Sequence, residues 1–358
     1  MSCKEEKTEI VQVEEQQQEE EFKVIAYYTP STGKIDEETV DQLDQIIFSF
    51  LHLQGNELAF DEAEDSRSLA YLTSLKRQNP NLEVLVSLGG WGGCETCSEV
   101  FSKTEGRKDF AISVKDLLEE YNADGIDLDW EYPVVEGFPG HLFQPQDREN
   151  FTALVAQLRE TLGEDPEISF AAGGFDDYLK RAVEWEKIMP LLDNVNLMSY
   201  DMVNGGSAKT GHHTALYSTP EQPLSTDRAI KFLDSIGVPR EKIILGAAFY
   251  ARTWEEVEST TNGLYQTGKF KNSVLYKDLE KFEEENPGFK RYWDTIARAP
   301  YSYNANKKIF ATYDDSLSVA EKTQYVIDKN LGGIMFWQLS GDKKEDGLLD
   351  VIHSIKIR

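Results

Sequence analysis

Four acidic residues fall within a short segment that otherwise has the character of a buried β-strand. Asp124, Asp127, Asp129 and Glu131 occupy eight positions of this segment. Because successive side chains of a strand face opposite sides, Asp127, Asp129 and Glu131 share one face, whereas Asp124 falls on the other. We therefore expect a row of three carboxylates, and we expect Asp124 to satisfy backbone donors at the start of the strand.

The chemistry of such a row depends on its protonation. Three carboxylates about 6 to 7 Å apart in a partly buried site cannot all ionise cheaply, so at least one pKa must rise. A raised pKa is what a general acid needs near neutral pH, and Glu131, the outermost of the three, is best placed to reach a substrate. Two alternatives remain open, namely a divalent cation site and a purely structural buried network.

The elements around this row predict the fold. Apolar runs typical of strands alternate with segments of helical periodicity, which favours a parallel sheet closed as a (β/α)8 TIM barrel, whose active sites lie at the C-terminal ends of the strands. An open doubly wound sheet would need a glycine-rich phosphate loop after the first strand, and residues 28–33 do not supply one. The eight predicted strands are residues 22–28, 45–51, 83–88, 125–131, 167–172, 195–200, 242–249 and 333–337.

The connection between the seventh and eighth strands is too long for a single helix. Residues 254–311 are rich in Tyr, Phe and Trp, which indicates a small folded α+β insertion rather than a floppy loop. The predicted domains are therefore a barrel of residues 22–253 and 312–358 and an insertion of residues 254–311.

The N-terminal segment differs in composition from the rest of the chain. Residues 1–21 contain eight Glu and two Lys with almost no apolar pattern, which predicts a disordered acidic tether. Cys3 beside a small residue resembles the mature start of a bacterial lipoprotein, so we expect an extracytoplasmic protein, secreted or anchored by lipid at Cys3. The alternative is a chance cysteine in a tail.

Charge and cysteine content limit the function classes. The formal net charge of -27 excludes nucleic acid as a partner, because phosphate contacts need clustered Lys and Arg. Cys94 and Cys97 have no second pair with which to form a zinc site, so we expect a local disulfide or two inert thiols. We expect no metal and no cofactor, and a monomer.

At this point the motifs resemble a known family. Residues 124–133 resemble the signature strand of the family 18 glycoside hydrolases, the chitinase family, which has the form D-x-x-D-x-D-x-E. Five further segments resemble motifs of that family in the expected order, with Ala251 where glycine is usual: residues 87–91, 198–201, 249–252, 313–315 and 333–337. The resemblance covers roughly residues 22 to 350 and implies hydrolysis of β-1,4-linked N-acetylglucosamine chains.

The resemblance also implies roles for single residues. Glu131 would protonate the leaving oxygen, while the substrate's own acetamido group attacks the anomeric carbon with net retention. Asp129 would orient the acetamido N–H and share a proton with Asp127, and Tyr200 would bind the acetamido oxygen.

Other residues are candidates for the substrate groove. Trp337 would form an apolar floor under the sugar, and Asp201 would assist sugar binding. The remaining candidates are Met198, Tyr28, Phe50, Trp91, Arg252, Tyr250 and Trp293. We expect His212 and His213 to be surface loop residues.

Two other functions remain open. Endo-β-N-acetylglucosaminidases that act on N-glycans share the acid row. A non-hydrolytic chitin-binding lectin would use the same barrel, although such proteins typically lose the terminal acid, which is present here as Glu131.

Overall fold

The computed structural model describes residues 22–357, so the predicted tether and Cys3 lie outside the described residues. The strands are Lys23–Tyr28 (β1), Gln45–Gln54 (β2), Glu57–Ala59 (β3), Glu83–Gly89 (β4), Gly125–Asp129 (β5), Glu167–Gly173 (β6), Asn194–Met198 (β7), Ile243–Ala248 (β8), Tyr250–Glu255 (β9), Lys269–Leu275 (β10), Phe289–Asp294 (β11), Ala299–Asn304 (β12), Ile309–Thr312 (β13) and Gly333–Trp337 (β14).

The helices alternate with the barrel strands as the periodicity predicts. They are Glu37–Asp41 (α1), Ala63–Ser74 (α2), Cys97–Phe101 (α3), Thr104–Tyr121 (α4), Asp147–Leu162 (α5), Asp176–Arg181 (α6), Trp185–Ile188 (α7), Thr226–Ser235 (α8), Leu279–Glu285 (α9), Ser316–Lys329 (α10) and Leu348–Lys356 (α11). Among residues 22–357, no helix is long and apolar enough to cross a membrane.

Eight parallel strands close into a barrel. Their order is β1-β14-β8-β7-β6-β5-β4-β2, and β1 also pairs with β2, which completes the circle. The short strand β3 adds to β2 in antiparallel orientation at the edge. The predicted (β/α)8 fold class is therefore confirmed.

The barrel strands pack against two apolar layers, one on each face of the sheet. The inner layer fills the barrel and contains Ile25, Tyr27, Ile47, Leu85, Ile244 and Met335. The outer layer lies between strands and helices and includes Ile126, Leu128 and Trp130 of the acidic segment. Since these three apolar residues face outward, their acidic neighbours face the barrel interior, as the alternation predicts.

Asp124 lies at the start of β5 and caps backbone donors there. Its Oδ2 accepts a hydrogen bond from Val84 N at 2.7 Å, and its Oδ1 lies 2.6 Å from Lys76 Nζ. The expectation that Asp124 has a structural role is thus confirmed by these contacts.

An antiparallel sheet of order β10-β9-β13-β12-β11 stands between β8 and β14 and packs with α9. It has its own apolar cluster, which includes Trp254, Tyr301 and Phe310. Along the chain, the strands of this sheet begin at Tyr250, separated from the end of β8 by Phe249 alone, and end at Thr312. The predicted α+β insertion between the seventh and eighth barrel strands is present.

A buried ion pair anchors the chain where it returns from the insertion to the barrel. Lys322 Nζ of α10 lies 2.6 Å from Asp314 Oδ2, and both side chains are fully buried. Asp314 also accepts hydrogen bonds from Thr214 Oγ1 and Ala248 N, each at 3.0 Å. This network ties together the end of β8, the loop after β7 and the start of α10.

Candidate active site

Asp127 lies at the centre of a hydrogen-bond network inside the barrel and is fully buried. Its carboxylate accepts hydrogen bonds from Ser87 Oγ at 2.7 Å, Ser169 Oγ at 2.8 Å and Asn196 Nδ2 at 3.0 Å. Tyr27 Oη adds a fourth at 3.2 Å. Burial raises the pKa of Asp127, and the four donors act against that rise.

Asp129 has a different environment, although it lies on the same face of the same strand. Its side chain is buried, and its Oδ1 has no hydrogen-bond partner within residues 22–357. Burial raises the pKa of Asp129 well above its usual value, and the charges of Glu131 and Asp127 raise it further. Asp129 is thus the member of the row that most favours holding a proton.

Glu131 lies two residues beyond the end of β5, so the strand is shorter than the predicted 125–131. Its side chain is half-buried at the mouth of the barrel. Burial raises the pKa of Glu131 to about 7, with a smaller upward contribution from the charge of Asp201; a hydrogen bond from Tyr132 and the charge of Arg252 oppose the rise. A carboxyl with this pKa can donate a proton near neutral pH.

Asp201 is held by a cation from the insertion sheet. Arg252 of β9 donates from Nε to Oδ1 at 2.7 Å and from Nη2 to Oδ2 at 2.5 Å, a bidentate arrangement. His213 Nδ1 lies 3.5 Å from the same Oδ1. Burial alone would raise the pKa of Asp201, but His213 and Arg252 hold it below its usual range. Asp201 therefore remains a carboxylate beside the acid row.

Tyr200 and Met198 line the barrel interior at the end of β7. Both pack on the inner apolar layer around Met335, and the Tyr200 hydroxyl donates to Met335 Sδ at 3.9 Å, a weak acceptor. Burial and then the charge of Asp129 raise the pKa of Tyr200 well above its usual value. Tyr200 therefore stays a neutral phenol that can donate to a substrate oxygen.

An aromatic floor closes the barrel beside these groups. Trp337, half-buried at the end of β14, stacks on Phe50 with ring centroids 5.4 Å apart and an interplanar angle of 14°. Tyr27 contacts the Trp337 ring at 5.9 Å. Tyr27 also donates to Asp127, so the flat apolar surface of the floor lies next to the hydrogen-bond network of Asp127.

Tyr250 supports the neighbouring side chains from behind. It is buried, its ring lies 6.1 Å from that of Tyr200, and the Arg252 guanidinium lies 5.2 Å from the centre of the Tyr250 ring. Trp91 stands on the rim with 59% of its surface exposed. Trp293 lies in β11, the edge strand of the insertion sheet.

The structure does not bring Tyr28 to this site. Tyr28 lies in the outer layer, and its hydroxyl donates to Gly33 O at 3.0 Å. Its neighbour Tyr27 faces inward instead, because the two residues alternate along β1. The prediction that His212 and His213 are surface residues is also wrong, since both are fully buried.

Several residues of the site were missed by sequence reasoning: Tyr27, Ser87, Ser169, Asn196 and His213. Ser87 and Ser169 are the direct neighbours of Asp127 on the two flanking strands. Small polar residues inside otherwise apolar strands were the available signal. Within residues 22–357, no group of three or more His, Cys, Asp or Glu side chains is placed to hold a metal ion.

A closed parallel barrel with a row of carboxylates at its C-terminal mouth, above an aromatic floor, defines the class of (β/α)8 glycoside hydrolases. The comparison with known families is more specific. The family model "Glycosyl hydrolases family 18" matches residues 23–342, and the chain belongs to that family.

Relatives of known identity agree with this assignment. The chain is 38% identical to chitinase A1 of Niallia circulans over 300 residues, which are 76% of this chain but only 42% of that protein. It is 30% identical to chitinase B of Serratia marcescens, covering 91% of this chain and 77% of that protein. The solved structure of a family 18 N-acetylglucosaminidase from Paenibacillus barengoltzii superposes with a TM-score of 0.86 at 34% identity, covering 93% of this chain and 99% of that one.

Proposed function

We propose that the protein hydrolyses β-1,4 linkages between N-acetylglucosamine units in chitin or its oligosaccharides. The observation that carries this proposal is the contrast along the acid row. Glu131 at the mouth has a pKa of about 7, while among residues 22–357 buried Asp129 has one carboxyl oxygen without a hydrogen-bond partner. The names of the two chitinase relatives point to the same substrate.

In the first step, Glu131 protonates the oxygen of the leaving sugar. The bond from that oxygen to the anomeric carbon breaks, while the carbonyl oxygen of the substrate's own acetamido group bonds to the same carbon. The product is a cyclic oxazolinium ion, and no enzyme nucleophile is needed. Asp129 passes its proton to Asp127 as it accepts the acetamido N–H, and the Asp129 carboxylate formed in this way stabilises the positive charge that develops.

The acetamido group must be held in place for this attack. The Tyr200 hydroxyl, whose acceptor Met335 Sδ is a weak one, donates to the acetamido oxygen. Fixing the attacking atom in this way lowers the entropic part of the barrier. In the second step Glu131, now a carboxylate, takes a proton from water as the water attacks the anomeric carbon. The bond from that carbon to the acetamido oxygen breaks, which regenerates the acetamido group and restores the original configuration.

The other groove residues bind and orient the sugar. Trp337 packs against the C–H face of the ring, with Phe50 stacked behind it. The Asp201 carboxylate, held by Arg252, accepts hydrogen bonds from sugar hydroxyls, and Met198 fills the apolar side of the pocket. Trp91 contributes at the rim.

We further propose an extracytoplasmic location and a monomeric enzyme, with lipid attachment at Cys3 as one means of anchoring. Cys94 and Cys97 form a disulfide in the structure. Disulfides persist mainly in oxidising compartments, which supports this location.

Two alternative functions can be distinguished from chitin hydrolysis by experiment. An endo-β-N-acetylglucosaminidase would release glycan from a high-mannose glycoprotein, and a chitin-binding lectin would bind without turnover. The test compares turnover of chitotetraose with release of glycan from such a glycoprotein. We expect cleavage of chitotetraose; cleavage of the glycoprotein alone, or binding of both without cleavage, would overturn the proposal.

A further inference from the structure

A cavity separate from the acid row lies among the loops at the C-terminal ends of the barrel strands. It has a volume of about 400 Å³, which is within the range of small-molecule sites. Its lining residues come from the connection after β1, the connection after β14 and the turn between β10 and α9, and they include no residue of the acid row or the aromatic floor. Because ligands of this fold bind at these loops, the cavity is placed where a second ligand can bind.

Lysines dominate the charge of the cavity lining. Four lysines line it, against three aspartates and no other charged residue: Lys34, Lys277, Lys343 and Lys344. Over the whole chain, the acidic residues outnumber lysine and arginine by 64 to 37, so the lining reverses the charge balance of the protein. This reversal favours a negatively charged ligand over a neutral or cationic one.

Three of the four lysines have no acidic partner. Lys34, Lys277 and Lys344 are exposed, and none of them forms an ion pair with a residue between 22 and 357. Lys343 differs, because its Nζ lies 2.8 Å from Glu280 Oε1 and 5.3 Å from the centre of the Tyr276 ring. Three ammonium groups are therefore free to approach a ligand in the cavity.

The aspartates of the lining are already engaged by backbone donors. Asp36 Oδ1 accepts a hydrogen bond from Thr39 N at 2.9 Å, which caps the start of α1. Asp342 accepts three backbone N–H bonds at and before the start of α11, each at 2.8 Å, and Asp350 accepts one at 2.9 Å. Because these donors offset part of the carboxylate charge, the aspartates have a structural role and oppose an anion less than free carboxylates would.

One buried polar atom of the lining also has no partner. Thr32 Oγ1 makes no hydrogen bond within residues 22–357. Native proteins leave few buried polar atoms unpaired, and a bound ion is one of the ordinary explanations for such an atom. Ser31 and Ser340 add further hydroxyls to the lining. Hydroxyl and ammonium donors together suit a ligand that presents several oxygen acceptors.

The number of cations favours one kind of anion. A carboxylate presents two oxygens and one charge, whereas a phosphate group carries a charge of about -1.5 to -2 at neutral pH and at least three acceptor oxygens. Lysine binds phosphate as a point charge, without the fixed geometry that arginine requires. At physiological ionic strength, charges are screened beyond about 8 Å, so the nearby lysines outweigh the net charge of the chain.

We propose that this cavity is a binding site for a phosphate group, held by Lys34, Lys277 and Lys344. The group is either free inorganic phosphate or a phosphate carried by a sugar, for which a cavity of this size has room. No residue of the acid row takes part, so the site is independent of the proposed hydrolysis of chitin.

Isothermal titration calorimetry of the full chain at low ionic strength tests this site. The ligands are inorganic phosphate and glucose 6-phosphate, with glucose as the uncharged sugar. We expect both phosphate ligands to bind and glucose not to bind. The double variant Lys277→Met with Lys344→Met should raise the Kd of both phosphate ligands by about tenfold. Tighter binding of glucose 6-phosphate would identify a phosphate carried by a sugar, and equal binding would identify free phosphate.

A charge-matched control separates the cavity from the overall charge of the protein. Lys108→Met with Lys290→Met removes two exposed lysines, one on α4 and one on β11, that do not line the cavity. Its net charge changes by the same amount as in the test variant, yet the Kd should stay within about twofold of the unaltered protein. All four lysines are exposed, so both double variants should fold.

Two results would overturn the proposed phosphate site. The first is the absence of binding of either phosphate ligand at about 10 mM. The second is an equal rise of Kd in the two double variants, which would show that the phosphate responds only to the total charge of the chain.

Discussion

Asp127 and Asp129 lie two residues apart on one face of β5, yet Asp127 accepts four hydrogen bonds whereas Asp129 Oδ1 accepts none within residues 22–357. The donors favour an ionised Asp127. Burial between two other acids favours a protonated Asp129. A proton on the acid row is therefore held more by Asp129 than by Asp127. The stabilities of the two variants in which one of these residues becomes an asparagine can test this difference.

Asp129→Asn should change the free energy of unfolding by less than about 1 kcal/mol, because the amide resembles the neutral carboxyl already present. Asp127→Asn should lower the free energy of unfolding by about 1–3 kcal/mol, because the amide nitrogen of the asparagine would face hydrogen-bond donors. Urea unfolding at neutral pH measures both. Equal losses in the two variants would contradict the unequal sharing.

The raised pKa of Glu131 predicts the pH dependence of the rate. A general acid works only when protonated, so kcat/KM should fall as the pH rises through about 7, the pKa of Glu131. The measurement is a profile of kcat/KM on chitotetraose from about pH 4 to about pH 9. A basic limb near the ordinary pKa of a glutamate would show that burial does not act on this group as described.

Removing the charge of Asp201 and removing the charge of Arg252 should shift the basic limb of the kcat/KM profile in opposite directions. The charge of Asp201 raises the pKa of Glu131, and the charge of Arg252 lowers it. Asp201→Asn should therefore move the basic limb to lower pH, and Arg252→Met should move it to higher pH. Shifts of the same sign would mean that the two charges do not act on Glu131 directly.

Tyr200→Phe should affect catalysis far more than stability. The hydroxyl has a weak acceptor in Met335 Sδ, so its removal should cost less than about 1 kcal/mol of unfolding free energy. Loss of a donor to the attacking acetamido oxygen should lower kcat on the order of 100-fold. A kcat within a few-fold of the unaltered enzyme would remove Tyr200 from the mechanism.

The buried pair Lys322 and Asp314 should matter for stability. Lys322→Met leaves the Asp314 carboxylate buried without its cation, which should cost about 3–5 kcal/mol of unfolding free energy. Lys231→Met, which breaks a more exposed pair with Asp227, should cost less than about 1 kcal/mol. Similar losses in the two variants would contradict the structural role of the buried pair.

Alternation along β5 was sufficient to predict which acids face the barrel interior, because apolar and acidic residues alternate there without exception. In β1 the same rule could not choose between Tyr27 and Tyr28, since both faces of that strand are buried and both residues are aromatic. The sequence therefore predicted the acid row but not the tyrosine that binds Asp127.

Contacts between segments that lie far apart in the chain could not be predicted from the sequence. His213 lies on a loop after β7 and is buried against the insertion sheet: its backbone N–H donates to Thr312 Oγ1, and its ring lies 5.1 Å from that of Tyr250. The helices α3 and α11 and the strand β3 were not predicted. Of these, α3 and β3 have five and three residues, too few for a clear periodic pattern.

The role of Glu131 as general acid is the central claim, and Glu131→Gln tests it most directly. Glutamine keeps the shape of the side chain but cannot donate a proton as an acid. The measurement is kcat on chitotetraose beside binding of the same sugar, with Glu120→Gln, an exposed glutamate on α4, as the matched control. We predict a loss of about 1,000-fold in kcat with sugar binding retained. An unchanged kcat in Glu131→Gln would contradict the account.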